Sequence, residues 1–107
     1  MTNDAFVALA LAVDGAVQAS HFGKRDFRIG KRIFASLPED GRAVLNFTPD
    51  RQAMLCELEP ACFVPLPNAW GAKGWTSLFF ADCPADVVAS ALAQAAEGVR
   101  KGTPKRR

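Results

Sequence analysis

Phe6, Leu9 and Val13 recur at helical spacing, with Ala10 beside them, and Asn3 or Asp4 stands where a cap is needed. This pattern predicts a first helix, which Asp14-Gly15 stops. Residues 16–22 read as a strand. From residue 26 the period is two: Phe27 and Ile29 alternate with charged neighbours, Gly30-Lys31 turns the chain, and residues 32–37 return. A glycine at the first of two turn positions suits a type II′ turn, which would set Phe27 opposite Phe34. Pro38-Glu39-Asp40-Gly41 reads as a second turn, with Gly41 free to take positive φ. The strand after it, residues 42–47, shows Ala43, Leu45 and Phe47 to one side. Thr48-Pro49-Asp50 is a helix start, with a capping hydroxyl, a proline in the first turn and then an acid. That helix carries Met54, Leu55 and Leu58 and ends before Pro60. Residues 60–74, with Pro60, Pro65, Pro67, Gly71 and Gly74, are expected to be irregular. A last strand over residues 75–80 leads to a final helix capped by Asp82 or Cys83. Val88, Leu92 and Val99 form its apolar stripe, and Gly102 and Pro104 finish it.

The order is α-β-β-β-β-α-β-α. Consecutive strands without a helix between them imply a mostly antiparallel sheet, so the class is a two-layer α+β fold with helices at the N-terminus, in the middle and at the C-terminus. Phe27, Phe34, Phe47, Trp75, Val88 and Leu92 are expected to share one core. The 107 residues fit one domain, with no internal repeat or linker.

Charge changes the picture at one end. Residues 1–99 hold eight basic and eleven acidic groups (net −3), whereas Arg100, Lys101, Lys105, Arg106 and Arg107 add +5. The basic pI therefore reports a tail, residues 100–107, expected to be disordered. The apolar run of residues 6–13 is too short to span a bilayer and no Lys or Arg precedes it, so no membrane partner and a cytoplasmic location are expected. Cys56, Cys62 and Cys83 are read as small buried hydrophobes, reduced and unpaired. With one histidine, they form no metal-ligand set, and no metal or cofactor is implied.

No catalytic constellation stands out, so the chain reads as a non-enzyme. His21 lacks a signalled nucleophile and is read as structural. Two features can carry binding. Lys24, Arg25, Arg28, Lys31 and Arg32 crowd into nine residues opposed only by Asp26. A basic hairpin projecting from a small domain can reach a phosphate backbone as a wing, and the same charges also protect a solvated hairpin from edge pairing. In Trp70-Gly71-Ala72-Lys73-Gly74-Trp75, one indole could stack on a base while Lys73 meets a phosphate. Alternatively, the two rings pin the proline-rich loop to the sheet, Trp75 buried and Trp70 exposed.

Several of these segments carry a resemblance. His21-Phe22-Gly23 followed by Asp26-Phe27-Arg28-Ile29, then Lys31-Arg32-Ile33-Phe34-Ala35, Thr48-Pro49-Asp50, and Trp70-Gly71 with Gly74-Trp75 resemble, in order and spacing, the MmcQ/YjbR-like family of small bacterial proteins over about residues 5–100. The resemblance implies a frataxin-like α+β fold, also described as a double wing, for residues 1–99. It also implies DNA binding, with duplex DNA as the partner. The candidate contacts are Lys24, Arg25, Arg28, Lys31, Arg32, Trp70 and Lys73. The alternative is a protein-interaction or small-ligand module using a groove near His21 and Trp70. A frataxin-like iron site would need a dense acidic ridge on the first helix, and Asp4 and Asp14 are too sparse for one.

Overall fold

The computed structural model describes residues 1–21 and 23–101, except the side chains of His21 and Lys101. The predicted disordered tail beyond residue 101 and the position of Phe22 lie outside the described residues. Arg100 and Lys101, assigned above to the tail, instead belong to the last turn of the final helix.

Helix α1 (Asn3–Leu11) leads into strands β1 (Ala16–His21), β2 (Lys24–Ile29), β3 (Arg32–Glu39) and β4 (Arg42–Asn46). Helix α2 (Pro49–Leu58) follows, then β5 (Phe63–Pro65), the one-turn α3 (Ala69–Ala72), β6 (Trp75–Phe79) and the long α4 (Ala85–Lys101). The strands form one antiparallel sheet in the order β1-β2-β3-β4-β6-β5. The α+β class and helix positions are those the sequence pattern predicts.

Local chemistry accounts for most element ends. Thr48 Oγ1 accepts from Arg51 N at 3.2 Å, so α2 starts as expected. The cap of α1 is Thr2, whose Oγ1 accepts from Ala5 N at 3.1 Å, not Asn3 or Asp4. Asn3 is used elsewhere: its amide donates to Asp40 and accepts from Gly41 N, tying α1 to the β3–β4 turn.

Strand alternation sorts side chains onto two faces. Paired residues share a face, so Phe27, Ala35, Leu45, Thr76 and Leu78 project together, with Phe63 beside Leu78. All are buried, and α4 packs across β2, β3 and β4 on this side. Phe6 from α1 stacks on Phe80 at 4.8 Å and meets the edge of Phe27 at 6.1 Å.

Four expectations need correction. Phe27 pairs with Ala35, not Phe34: Ile29 pairs with Arg32 and Arg28 with Ile33, and a bulge then inserts Phe34 as an extra residue. The bulge lets Phe34 and Ala35 both be fully buried. Trp75 leaves the predicted core, because Thr76 and Leu78 take the inward positions of β6; Trp75 is half-buried on the other face. Residues 60–74 are not wholly irregular: β5 and α3 lie within them. Finally, Cys62 and Cys83 are joined by a disulfide, with Cα atoms 6.1 Å apart, linking the start of β5 to the approach to α4. Cys56 remains a free thiol, and burial raises its pKa.

Candidate nucleic-acid interface

The sheet face turned away from α4 carries Asp26 and Arg28 from β2, Ile33, Ser36 and Pro38 from β3, Arg42 and Val44 from β4, and Trp75 and Ser77 from β6. Instead of a long helix, the loop around α3 rests on one end of it. Between loop and strands runs an open groove of ≈ 440 Å³ lined by Ile33, Pro38, Val44, Leu66, Trp70 and Trp75, with Ser36 and Arg42. It continues, across Ile33, Ser36, Pro38 and Trp75, into a second hollow of ≈ 280 Å³ bounded by Lys24, Arg25 and Asp26.

The Trp loop is fixed by backbone contact. A Cβ on Gly71 would stand 1.8 Å from Leu66 O, and one on Gly74 (φ +110°) would stand 1.9 Å from Phe47 O. Only glycine admits these approaches. Gln52 of α2 completes the arrangement: its Nε2 lies 2.9 Å from Gly71 O, 3.2 Å from Trp75 O and 3.0 Å from Thr76 Oγ1. So held, Trp70 and Trp75 meet edge to face with centroids 6.1 Å apart, and Lys73 Nζ sits 5.1 Å from the Trp70 centroid. Trp70 is 55% exposed.

The predicted basic residues are not one cluster. Arg28 is tied to Asp26, with Nε donating at 2.8 Å, and that hydrogen bond and the carboxylate's charge raise the Arg28 pKa above its ordinary value. Asp26 is only 4% exposed, so Arg28 compensates a buried acid more than it presents a free cation. Lys31 is in the β2–β3 turn. Arg32 lines a separate cleft of ≈ 230 Å³ with Asn46, Thr48 and Lys73 beside the last turns of α4. Lys24 and Arg25 bound the groove's far end. Among the described residues, Lys24, Arg25, Lys31, Arg32 and Lys73 have no carboxylate within salt-bridge distance. His21 pairs with Lys24 in the β1–β2 ladder; its side chain is outside the described residues.

Sequence reasoning missed Ile33, Pro38, Val44, Leu66, Arg42 and Gln52. The groove forms only when β3, β4 and β6 lie side by side. Arg42 is held there by Glu39 Oε1 at 3.1 Å and Ser77 Oγ at 2.9 Å. The one available signal was the two-residue alternation of β3, which sets Ile33 opposite in direction to Phe34.

The sequence profile of YjbR matches residues 11–95. The chain belongs to the YjbR family. The crystal structure of Deinococcus radiodurans protein DR2400, described as a DUF419 domain, superposes with a TM-score of 0.76 at 19% identity, covering 98% of this chain and 83% of that one. The likeness shows a shared fold. No curated protein matches the chain. Among the described residues of this YjbR domain, no group of three or more His, Cys, Asp or Glu is placed to hold a metal ion, and no helix is long and apolar enough to cross a membrane.

Proposed function

We propose that this YjbR domain is a non-catalytic DNA-binding module that holds phosphates with Lys24, Arg25, Lys31, Arg32 and Lys73. The supporting observation is that Lys24 and Arg25 bound the far end of the groove, Arg32 and Lys73 line a second cleft and Lys31 sits in the β2–β3 turn, all without carboxylate partners among the described residues, while the acids at the site, Asp26 and Glu39, are already paired. Arg28 is dropped from the predicted contacts because Asp26 occupies its guanidinium. Lys73 and Arg32 share one cleft, which brings the Trp loop close to the hairpin tip.

Phosphate contacts release counterions, so affinity falls with salt at a slope near −0.9 per neutralised phosphate. The basic tail can supply such a slope by itself, so the test keeps the full chain and changes the folded domain. Lys24→Ala, Lys31→Ala and Lys73→Ala combined should flatten the slope by about 2–3. An unchanged slope would assign binding to the tail and remove this reading.

A second reading draws on the groove's apolar lining: a small apolar ligand or a peptide held between Trp70 and Pro38. Ligand-induced change in tryptophan fluorescence without salt dependence would favour it.

A further inference from the structure

We infer that the groove is built for single-stranded nucleic acid, with unpaired bases on its tryptophan floor and phosphates along its cationic rim. The inference rests on the DNA-binding reading above and narrows its substrate. A duplex presents phosphates and hides its bases in the stack, so it has no use for an apolar floor. Yet the ≈ 440 Å³ hollow of this face is lined by Ile33, Pro38, Val44, Leu66, Trp70 and Trp75. A single strand can turn its bases inward and its backbone outward. Base–aromatic stacking then adds to charge, and the surface tolerates any sequence because every base has a π face.

Charge complementarity selects this occupant over an apolar peptide. Lys24 and Arg25 line the hollow that continues the groove and Lys73 lies over the Trp70 ring, none with a carboxylate partner among the described residues. Asp26 and Glu39 are each held by an arginine. The platform is also rigid before binding: Gly71, Gly74 and Gln52 lock the loop to the sheet, so little ordering cost remains. Trp70 is the exposed ring and Trp75 the half-buried one, and the two meet edge to face, an arrangement in which a base contacts Trp70 first.

The test compares four probes on the full-length protein, matched in length at about 12 units, within the range such surfaces cover. They are oligothymidylate, an abasic strand of the same charge, a DNA duplex and polyglutamate. Tryptophan quenching and competition report binding. Oligothymidylate is expected to bind roughly 5- to 100-fold more tightly than the abasic strand and to be the probe that quenches strongly. Trp70→Ala should remove most of that margin while leaving the abasic strand's affinity unchanged, and Trp70→Phe should restore part of it. Because Trp70 is largely exposed, neither variant threatens the fold. Equal binding of the single strand, the abasic strand and polyglutamate would overturn the inference by showing charge alone at work. A duplex bound as tightly as oligothymidylate, with Trp70→Ala silent, would overturn it while leaving the DNA-binding reading intact. Failure of every nucleic acid to bind at low salt would overturn both.

Discussion

Gly74→Ala tests whether the Trp loop is held by the close backbone approach seen in the structure. Gly74 has φ +110°, and a Cβ there would lie 1.9 Å from Phe47 O and 2.8 Å from Phe47 C. Neither atom can step aside, because Phe47 N donates to Gly74 O at 3.2 Å and Phe47 itself is buried. A side chain in this backbone region costs about 1–3 kcal/mol. Relieving the clash then strains the hydrogen bonds that Gly74 O accepts from Phe47 N and from Thr76 Oγ1 at 2.9 Å, each contributing about 0.5–1.5 kcal/mol. The sum is about 2–6 kcal/mol, a large share of the 5–15 kcal/mol of an ordinary domain. Gly41→Ala is the control: φ is +77° there, yet an added Cβ meets nothing within 4 Å. It should cost roughly 1–2 kcal/mol. Both substitutions restrict the unfolded chain equally, so that contribution cancels in the difference. Urea unfolding followed by circular dichroism gives both values. A Gly74→Ala loss no greater than that of Gly41→Ala would show that the loop does not rest against Phe47.

Phe34→Ala should cost about 3–5 kcal/mol by the same assay, since the ring is fully buried at the bulge; a loss under about 1 kcal/mol would put the ring outside the core. The Cys62–Cys83 bond closes a loop with a sequence separation of 21, and its reduction should remove about 3 kcal/mol. Thiol titration of unreduced, unfolded protein should find one free thiol, and finding three would refute the bond. Cys56 should alkylate with a pH midpoint above that of the urea-unfolded chain, because burial raises its pKa and reactivity needs the thiolate. A midpoint at or below the unfolded value would contradict the burial. Gln52→Ala should weaken single-strand binding without touching the groove, by freeing the carbonyls of Gly71 and Trp75. Retained affinity with a shifted melting temperature would confine Gln52 to a structural role.

Local signals were legible wherever a residue's role depends on its neighbours in sequence. The Thr48-Pro49-Asp50 start, the positive φ of Gly41 and the Ala43–Leu45–Phe47 alternation follow from capping, turn and period rules. The misses arise where tertiary pairing decides. The bulge at Phe34 depends on how β2 meets β3. Trp75 is expected in the core, whereas the register with β4 gives the inward position to Thr76, a buried polar residue satisfied by Gly74 O and Gln52. Pro60, Pro65 and Pro67 masked β5, which is a three-residue edge strand ending on Pro65, where a missing donor matters least. Likewise the candidate cations were all visible, but their division among groove, hairpin tip and Asp26 pairing was not.

That division bears on how, on the proposed nucleic-acid reading, a domain whose residues 1–99 sum to −3 would attract a polyanion. The charges segregate by layer. Asp4, Asp50, Glu57, Asp86 and Glu97 sit on the helices and Glu59 and Asp82 adjoin them, against the helical cations Arg51, Arg100 and Lys101, while Asp14 lies in the turn after α1. The sheet and its turns hold Lys24, Arg25, Arg28, Lys31, Arg32 and Arg42, against Asp26, Glu39 and the turn acid Asp40. Net charge acts on solubility and on long-range encounter, whereas a groove is felt through the charges lining it within about one Debye length, roughly 8–10 Å in physiological salt. A strand approaching the open face therefore meets Lys24 without a carboxylate partner, and Asp26 and Glu39 held by Arg28 and Arg42, whereas one approaching the helices meets seven acids in or beside them against Arg51, Arg100 and Lys101. The excess acid on the helical layer disfavours binding there, so the negative sum orients an approaching strand toward the groove instead of opposing its entry.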